Sequence, residues 1–237
     1  MNVMDYKDFT VVLPTLNEEE TIGVLINRLI KSYGGISVIV MDDGSRDGTE
    51  KKVDEISKTN KKVSFFDRKK AHRKRGLTAS AIDGILRSRT KYAIVMDADL
   101  QHPTDVIEFL APKLIKGNDL VVAVRADVKG WAIYRKIISK TLIGIGYSIL
   151  VMTGKSRCND IFSGFFGVNK ALFERTYNAN KKRFIGGGYK VLYDFLKCSS
   201  NGDILIDQIP YSFGLRKHGA SKASYRQGIL LFKSFFS

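Results

Sequence analysis

Cysteine is scarce in this chain: Cys158 and Cys198 are the only two among 237 residues. Their spacing fits no metal-ligand set and they support no disulfide framework, so they suit a reducing compartment. No apolar run reaches the ~18 residues of a transmembrane helix. The longest candidate, Thr141 to Met152, is too short and holds two glycines. Met1 to Phe9 carries two aspartates and no apolar core segment, so it does not read as a signal peptide. A chain of this composition that meets a membrane lies on it. Acidic residues are in deficit: 24 Asp and Glu face 39 Lys and Arg, a formal net charge of +15. The surplus implies an anionic partner, whether nucleic acid, an anionic membrane or a phosphorylated substrate. Internal repeats, low-complexity tracts and linkers are also missing, and residues 1–237 read as a single domain with a full core.

What is present is an alternation of periods. Phe9 to Leu13, Ile36 to Met41, Val63 to Phe66, Tyr92 to Met96 and Asp119 to Val124 read as short, near-continuous apolar strands. Between them Glu18 to Lys31, Gly48 to Lys58, Gly76 to Arg87 and Pro103 to Lys116 read as helices. The pattern predicts βαβ units and an α/β fold, a mostly parallel sheet flanked by helices. After Arg125 it changes to a loop at 127–130 and a helical segment from Trp131 to Leu150. Phe162 to Val168 reads as a strand interrupted by Ser163-Gly164, with Asn169 capping a short helix. Gly187 to Cys198 reads as a helix, Asp203 to Ile209 as the last strand and Lys222 to Phe236 as a final helix.

Chemistry concentrates where strands end. The run Tyr92 to Met96 stops at Asp97-Ala98-Asp99-Leu100-Gln101. In an extended chain residues i, i+2 and i+4 project to one side, so Asp97, Asp99 and Gln101 are expected to converge. Two carboxylates and an amide oxygen suit a hard divalent cation, Mg2+ or Mn2+, which could take a nucleotide diphosphate as its remaining ligands. The plainer alternative is a solvated turn ahead of a helix begun by Pro103. A second acidic end, Asp42-Asp43-Gly44-Ser45, follows Ile36 to Met41, and ligands of parallel sheets bind at such carboxyl ends. Turn chemistry and helix capping are the competing explanation there.

Three segments bear on surfaces. Arg68 to Arg75 has six Lys or Arg in eight positions, a solvated loop or a capture site for anionic headgroups. In the segment at about 131–150, Trp131, Tyr134, Ile138, Leu142, Ile145 and Ile149 share one stripe, with Arg135, Lys136 and Lys140 beside or opposite it. At about 222–236, Tyr225, Ile229, Phe232 and Phe236 form a stripe beside Lys222, Arg226 and Lys233. The segment at about 131–150 reads as a membrane-interface helix or as a helix packed on the sheet with a solvated basic face, and that at about 222–236 as a second amphipathic helix. A chain ending Phe235-Phe236-Ser237 exposes apolar surface unless something covers it.

With Pro14-Thr15-Leu16-Asn17-Glu18 ahead of them, the acidic strand ends resemble the family 2 glycosyltransferases of GT-A fold. Asp160-Ile161-Phe162-Ser163-Gly164-Phe165-Phe166, Gly188-Tyr189-Lys190-Val191-Leu192 and Phe213-Gly214-Leu215-Arg216-Lys217-His218-Gly219-Ala220-Ser221-Lys222 look like the dolichol (polyprenyl) phosphate mannose synthases within it. The resemblance covers nearly the whole chain. It implies an inverting, Mg2+- or Mn2+-dependent transfer of mannose from GDP-mannose to dolichyl (polyprenyl) phosphate. It implies cation and donor binding at Asp97, Ala98, Asp99 and Gln101, with Asp99, Arg125 and Arg216 in catalytic roles. The nucleoside falls to Pro14, Leu16, Glu18, Met41 and Asp43, and Leu16 departs from the aromatic many relatives carry. Arg125 also serves the donor, while Arg135, Ser163, Arg216 and Lys222 are expected on the acceptor phosphate. Two interface helices imply a peripheral enzyme on the cytoplasmic face of a membrane. Many relatives continue into transmembrane helices, so this chain is either minimal or truncated.

A phosphate monoester with a second pKa near ~6 is mostly a dianion at neutral pH and needs no general base, so His72, His102 and His218 are assigned packing or loop roles. A UDP-glucose-dependent glucosyltransferase acting on the same lipid is the competing reading. A nucleic-acid-binding protein lacks support from zinc spacing, RNP-like aromatics or a basic recognition helix. An oxidoreductase would need a Gly-x-Gly-x-x-Gly turn after the first strand, and a processive polysaccharide synthase a Gln-x-x-Arg-Trp motif. Neither is present.

Overall fold

A computed structural model describes residues 4–128, 133–185, 188, 190–199, 204–214 and 235, with backbone alone at 127, 128 and 133–136. Seven strands build one sheet: β1 (Phe9–Thr15), β2 (Ser37–Asp42), β3 (Val63–Asp67), β4 (Tyr92–Val95), β5 (Leu120–Val128), β6 (Phe166–Asn169) and β7 (Ile206–Phe213). Their order is β3-β2-β1-β4-β6-β5-β7. Only β6 runs antiparallel to its neighbours, β4 and β5. The carboxyl ends of β1, β2, β4, β5 and β7 therefore share one edge with the amino end of β6. The order reverses between β1 and β4, which opens a crevice at that edge.

The helices are α1 (Glu19–Ser32), α2 (Thr49–Thr59), α3 (Leu77–Arg87), α4 (Val106–Ile115), α5 (Ile133–Met152), α6 (Lys170–Ala179) and α7 (Val191–Cys198). They cover both faces, and the strands show it by alternation. Val11, Leu13, Ile94 and Val121 join Ile22, Leu25 and Leu29 of α1 and Ile107, Leu110 and Leu114 of α4. The intervening Val12, Val95 and Val122 join Ala81, Ile82 and Ile85 of α3 with Leu192, Phe195 and Leu196 of α7. A strand apolar on both sides has two buried faces, which is why the sequence runs are continuous.

The expected α/β class and the strand-helix alternation are present, but several boundaries move. β4 stops at Val95, and α4 starts at Val106 rather than Pro103. The strand expected from Phe162 begins only at Phe166, because Ser163-Gly164 belongs to the preceding turn. β5 runs on to Val128, with a register shift between Arg125 and Asp127. β7 continues to Phe213 through Pro210, which is tolerated because β7 is an edge strand. α7 begins at Val191, and Asn169 caps α6 by accepting from the Leu172 amide at 3.2 Å.

The stripe expected along α5 divides. Leu142 and Ile149 pack on the α3-side core with Ile143 and Leu150, while Ile138 and Ile145 turn outward with Ile137, Val151 and Met152. The helix expected at Lys222 to Phe236 lies outside the described residues except for Phe235. That ring is buried, 6.2 Å from Phe162 and 5.5 Å from Tyr193.

Candidate active site

The ends of β1 and β2 are laced together by their following loops. The Asp43 amide donates to Thr15 O at 3.0 Å. Asn17, in left-handed backbone (φ 52), donates to Ser45 Oγ at 2.7 Å and accepts from the Arg46 amide at 2.8 Å. The Glu18 amide donates to Thr49 Oγ1 at 3.0 Å. Asp42 is turn chemistry: its carboxylate accepts from the Gly44 and Ser45 amides. Of the residues assigned to the nucleoside, Pro14 and Met41 are register partners on β1 and β2. The Met41 side chain belongs to the α3-side core, which leaves only its backbone for a ligand.

Asp43 is held from two sides. One oxygen takes Nη1 of Arg68, and the other accepts the Gly76 amide at 2.9 Å. Arg68 is 1% exposed and also donates to Ser80 Oγ at 2.8 Å, Asp83 Oδ2 at 3.1 Å and Lys74 O at 2.7 Å. Burial opposes charge on Asp83, but donation from Arg73 and Arg68 outweighs it and holds the carboxyl below its ordinary value.

After β4 the chain does not continue extended. It bends through Ala98 to Leu100, and Leu100 adopts φ 63. The convergence expected from i, i+2, i+4 spacing therefore has no strand to carry it; a folded loop places Asp97 and Asp99 instead. Asp99 is buried and accepts from the Gln101 amide at 3.1 Å. Gln101 ties this loop to the end of β7, its Nε2 donating to Gly214 O at 2.9 Å and its carbonyl accepting the Gly214 amide at 3.0 Å. His102 Nδ1 accepts the Asp97 amide at 3.0 Å, and burial brings its pKa down to about 4, so the ring is uncharged.

Opposite stands Arg125, re-aimed by the irregularity that follows it in β5. Its Nε and Nη2 form a fork on Asp160 at 2.7 and 2.9 Å. Burial works against its charge, yet Asp160 holds its pKa above the ordinary value. The field of Asp97 reaches it as well. Ser163, expected on the acceptor phosphate, is buried and donates to Ala123 O at 2.6 Å, so its hydroxyl is a structural tie. Tyr211 on β7 completes the group, with a buried hydroxyl that has no hydrogen-bond partner among the described residues.

The acidic pair suits a divalent cation in donor type, since both side chains offer hard oxygens. Gly164 borders Asp97, where a Cβ would stand at ordinary contact distance, 3.5 Å from both carboxylate oxygens. Among the described residues no cluster of three or more His, Cys, Asp or Glu forms a metal cage. A cation here would complete its shell with ligand oxygens or water.

Residues 10–176 match the description Glycosyl transferase family 2. The chain belongs to this family. Within it, the chain is 32% identical over 219 residues to a dolichol-phosphate mannosyltransferase of Pyrococcus furiosus, covering 90% of this chain and 58% of that protein. It is 28% identical over 237 residues to the dolichol-phosphate mannosyltransferase of Saccharomyces cerevisiae, covering 92% of this chain and 81% of the other. The chain thus spans little more than half of the archaeal relative. Among solved structures, glucosyl-3-phosphoglycerate synthase from Mycobacterium tuberculosis, in complex with Mn2+, UDP-glucose and glycerol 3-phosphate, aligns with TM-score 0.63 at 21% identity. The alignment covers 95% of this chain and 76% of that one, and it shows a shared fold.

For this family 2 member the basic loop reads differently from the sequence expectation. Arg68 is internal, Arg73 pairs with Asp83 at 2.5 Å and Lys70 with Glu50 at 3.0 Å, so half of the six charges are engaged within the protein. Lys69 and Arg75 lie against Gly44, over the Asp42–Ser45 turn. Arg216, Lys222 and the side chain of Arg135 lie outside the described residues. Sequence reasoning missed Asp160 as the partner of Arg125, Arg68 as the holder of Asp43, and the bond from Asp97 to His102. For Asp160, the signal was its place at the head of the Asp160–Phe166 run that carried the family resemblance.

Proposed function

We propose that the chain is a metal-dependent inverting glycosyltransferase that moves mannose from GDP-mannose to dolichyl (polyprenyl) phosphate. The observation that carries this reading is that Asp97, Asp99, Arg125 and Asp160 all stand close enough to the buried Tyr211 hydroxyl to act on it electrostatically, with Arg125 forked on Asp160. The mannosyltransferase relatives support the acceptor and the sugar. Asp97 and Asp99 would hold Mg2+ or Mn2+, with the Gln101 amide oxygen as the third donor, and the chemistry supplied there is charge stabilisation on a departing diphosphate.

The remaining work falls to the chain itself. Pro14, Leu16, Glu18 and the Met41 backbone border the nucleoside side. Asp43, fixed by Arg68 and the Gly76 amide, is an acceptor for N–H or O–H groups of base or ribose. Ala98 sits between the two acids of the same loop. The Arg125 guanidinium, its plane set by Asp160, offers positive charge to phosphate oxygens. Arg135, Arg216 and Lys222 are proposed for the acceptor phosphate, a dianion that attacks the anomeric carbon without a general base.

A membrane surface on the cytoplasmic side is the proposed location. Its support is α5, whose outward face presents Ile137, Ile138, Ile145, Val151 and Met152. Among the described residues no helix is long and apolar enough to cross a membrane.

The test offers labelled GDP-mannose or UDP-glucose with a polyprenyl phosphate and follows label into the organic phase. Transfer from GDP-mannose that stops in EDTA and returns with Mn2+ is expected. Label from UDP-glucose alone would replace mannose by glucose, and no transfer from either donor would remove the proposal.

A further inference from the structure

We propose that His102 is a positioning residue that braces Asp97 for cation binding; the inference rests on the Asp97/Asp99 cation site proposed above. One imidazole spans both ends of one acidic residue. Its Nδ1 accepts the Asp97 backbone amide at 3.0 Å, which makes Nδ1 the unprotonated nitrogen and leaves the proton on Nε2. That Nε2 stands 3.7 Å from Asp97 Oδ2, past hydrogen-bond reach but close enough for its dipole to act on the oxygen.

The ring cannot turn away. Phe165 stacks on it with centroids 5.1 Å apart, and Tyr211 and Phe213 meet it edge-on at 5.9 and 5.5 Å. Its side chain is 2% exposed. Three aromatic rings, from β7 and from the turn before β6, thereby fix the His102 ring, and the ring fixes the Asp97 amide. The loop it closes contains the left-handed Leu100, a conformation that costs a leucine energy and persists only when surroundings impose it. Gly164 borders the same spot: a Cβ there would lie at ordinary contact distance, 3.6 Å from His102 Cε1 and 3.5 Å from the Asp97 oxygens. The arrangement is that of an outer partner orienting a ligating group, with a hydrogen bond to backbone in place of the usual bond to the ligand itself.

The test measures Mn2+ binding to the full chain by electron paramagnetic resonance, with GDP present, alongside the thermal unfolding midpoint. His102→Phe keeps the stacked ring and removes both nitrogens; it is expected to weaken Mn2+ binding roughly 10–100-fold. His102→Asn places an amide oxygen near the position of Nδ1 and is expected to recover part of the loss, whereas His102→Gln places its amide near Nε2 and is not. The comparison between Asn and Gln decides the matter even if the Phe variant fails to fold. Equal Mn2+ affinity in those two, or wild-type affinity in a folded His102→Phe protein, overturns the inference and leaves the cation site standing. Wild-type protein that binds no Mn2+ removes the cation site, and this inference with it.

Discussion

Asp99 and Asp97 sit two residues apart in one loop, yet Asp99 is 4% exposed while Asp97 remains half-buried. A buried carboxylate with a backbone donor has a fixed direction, so Asp99 is the less replaceable of the two. Asp99→Ala is expected to lower transfer by roughly two to three orders of magnitude, as loss of a preorganised electrostatic contact does. A transfer assay within tenfold of wild type would contradict the site. Arg68 poses the opposite case, a buried residue whose role lies in the side chains it holds. It pairs with both Asp43 and Asp83 in the interior, where Arg73 supplies the second positive charge. Arg68→Ala leaves Asp43 without its ion-pair partner and Asp83 with Arg73 alone, and is expected to cost about 3–5 kcal/mol in urea unfolding, the range for breaking a buried pair. A loss under 1 kcal/mol would mean that Arg73 and water suffice.

Helix α3 meets the sheet through Gly84, where a Cβ would collide with Val12 and stand 2.9 Å from Met41 Cγ. Val12 is stiff at its branched carbon, so the strand has little room to yield. Gly84→Ala gains about 1 kcal/mol of helix propensity and loses up to ~3 to overpacking, for a net destabilisation near ~2 kcal/mol by denaturant titration. Because α3 also carries Asp83 and Ser80, the same change is expected to weaken nucleotide binding through Arg68 and Asp43. Helix α5 differs, being apolar inward and outward. Ile138 is 54% and Ile145 41% exposed. Replacing both by Asp should leave unfolding within ~0.5 kcal/mol per site. It should lower binding to anionic vesicles roughly tenfold per residue, in line with about 1.5 kcal/mol of apolar burial each. Vesicle binding that is unchanged would assign this face to another partner.

At the scale of the whole molecule the charge balance shapes the response to acid. Burial raises the Asp83 carboxyl, but Arg73 and Arg68 bring it below its ordinary value; Lys113 does the same for Asp207. A carboxylate depressed in the folded state contributes stability that is complete above its unfolded pKa near ~4 and lost as pH falls through the folded value. Protonation also adds to a net charge already at +15, so the native state faces more self-repulsion. The unfolding temperature is expected to be flat from pH 7 to about pH 5 and to fall steeply below ~4, with a shallower fall in Asp83→Asn. A midpoint that stays level down to pH 2.5 would show these pairs to be energetically idle.

By itself the sequence determined the layered α/β fold and the acids that follow β2 and β4 at one edge of the sheet, because hydrophobic period and strand-end chemistry are local properties. Only the tertiary structure decided what those acids do. Asp42 is consumed in a turn, Asp43 is gripped from inside a loop that looked like solvated charge, and Arg125 is fixed by an acid 35 residues away. The exposed and core-facing sides of α5 were likewise settled by packing, since an apolar helix does not say in sequence which side meets the protein. The physical reason is common to all of these: a charge or an apolar face is defined by its partner, and partners far apart in the chain are brought together only by the fold.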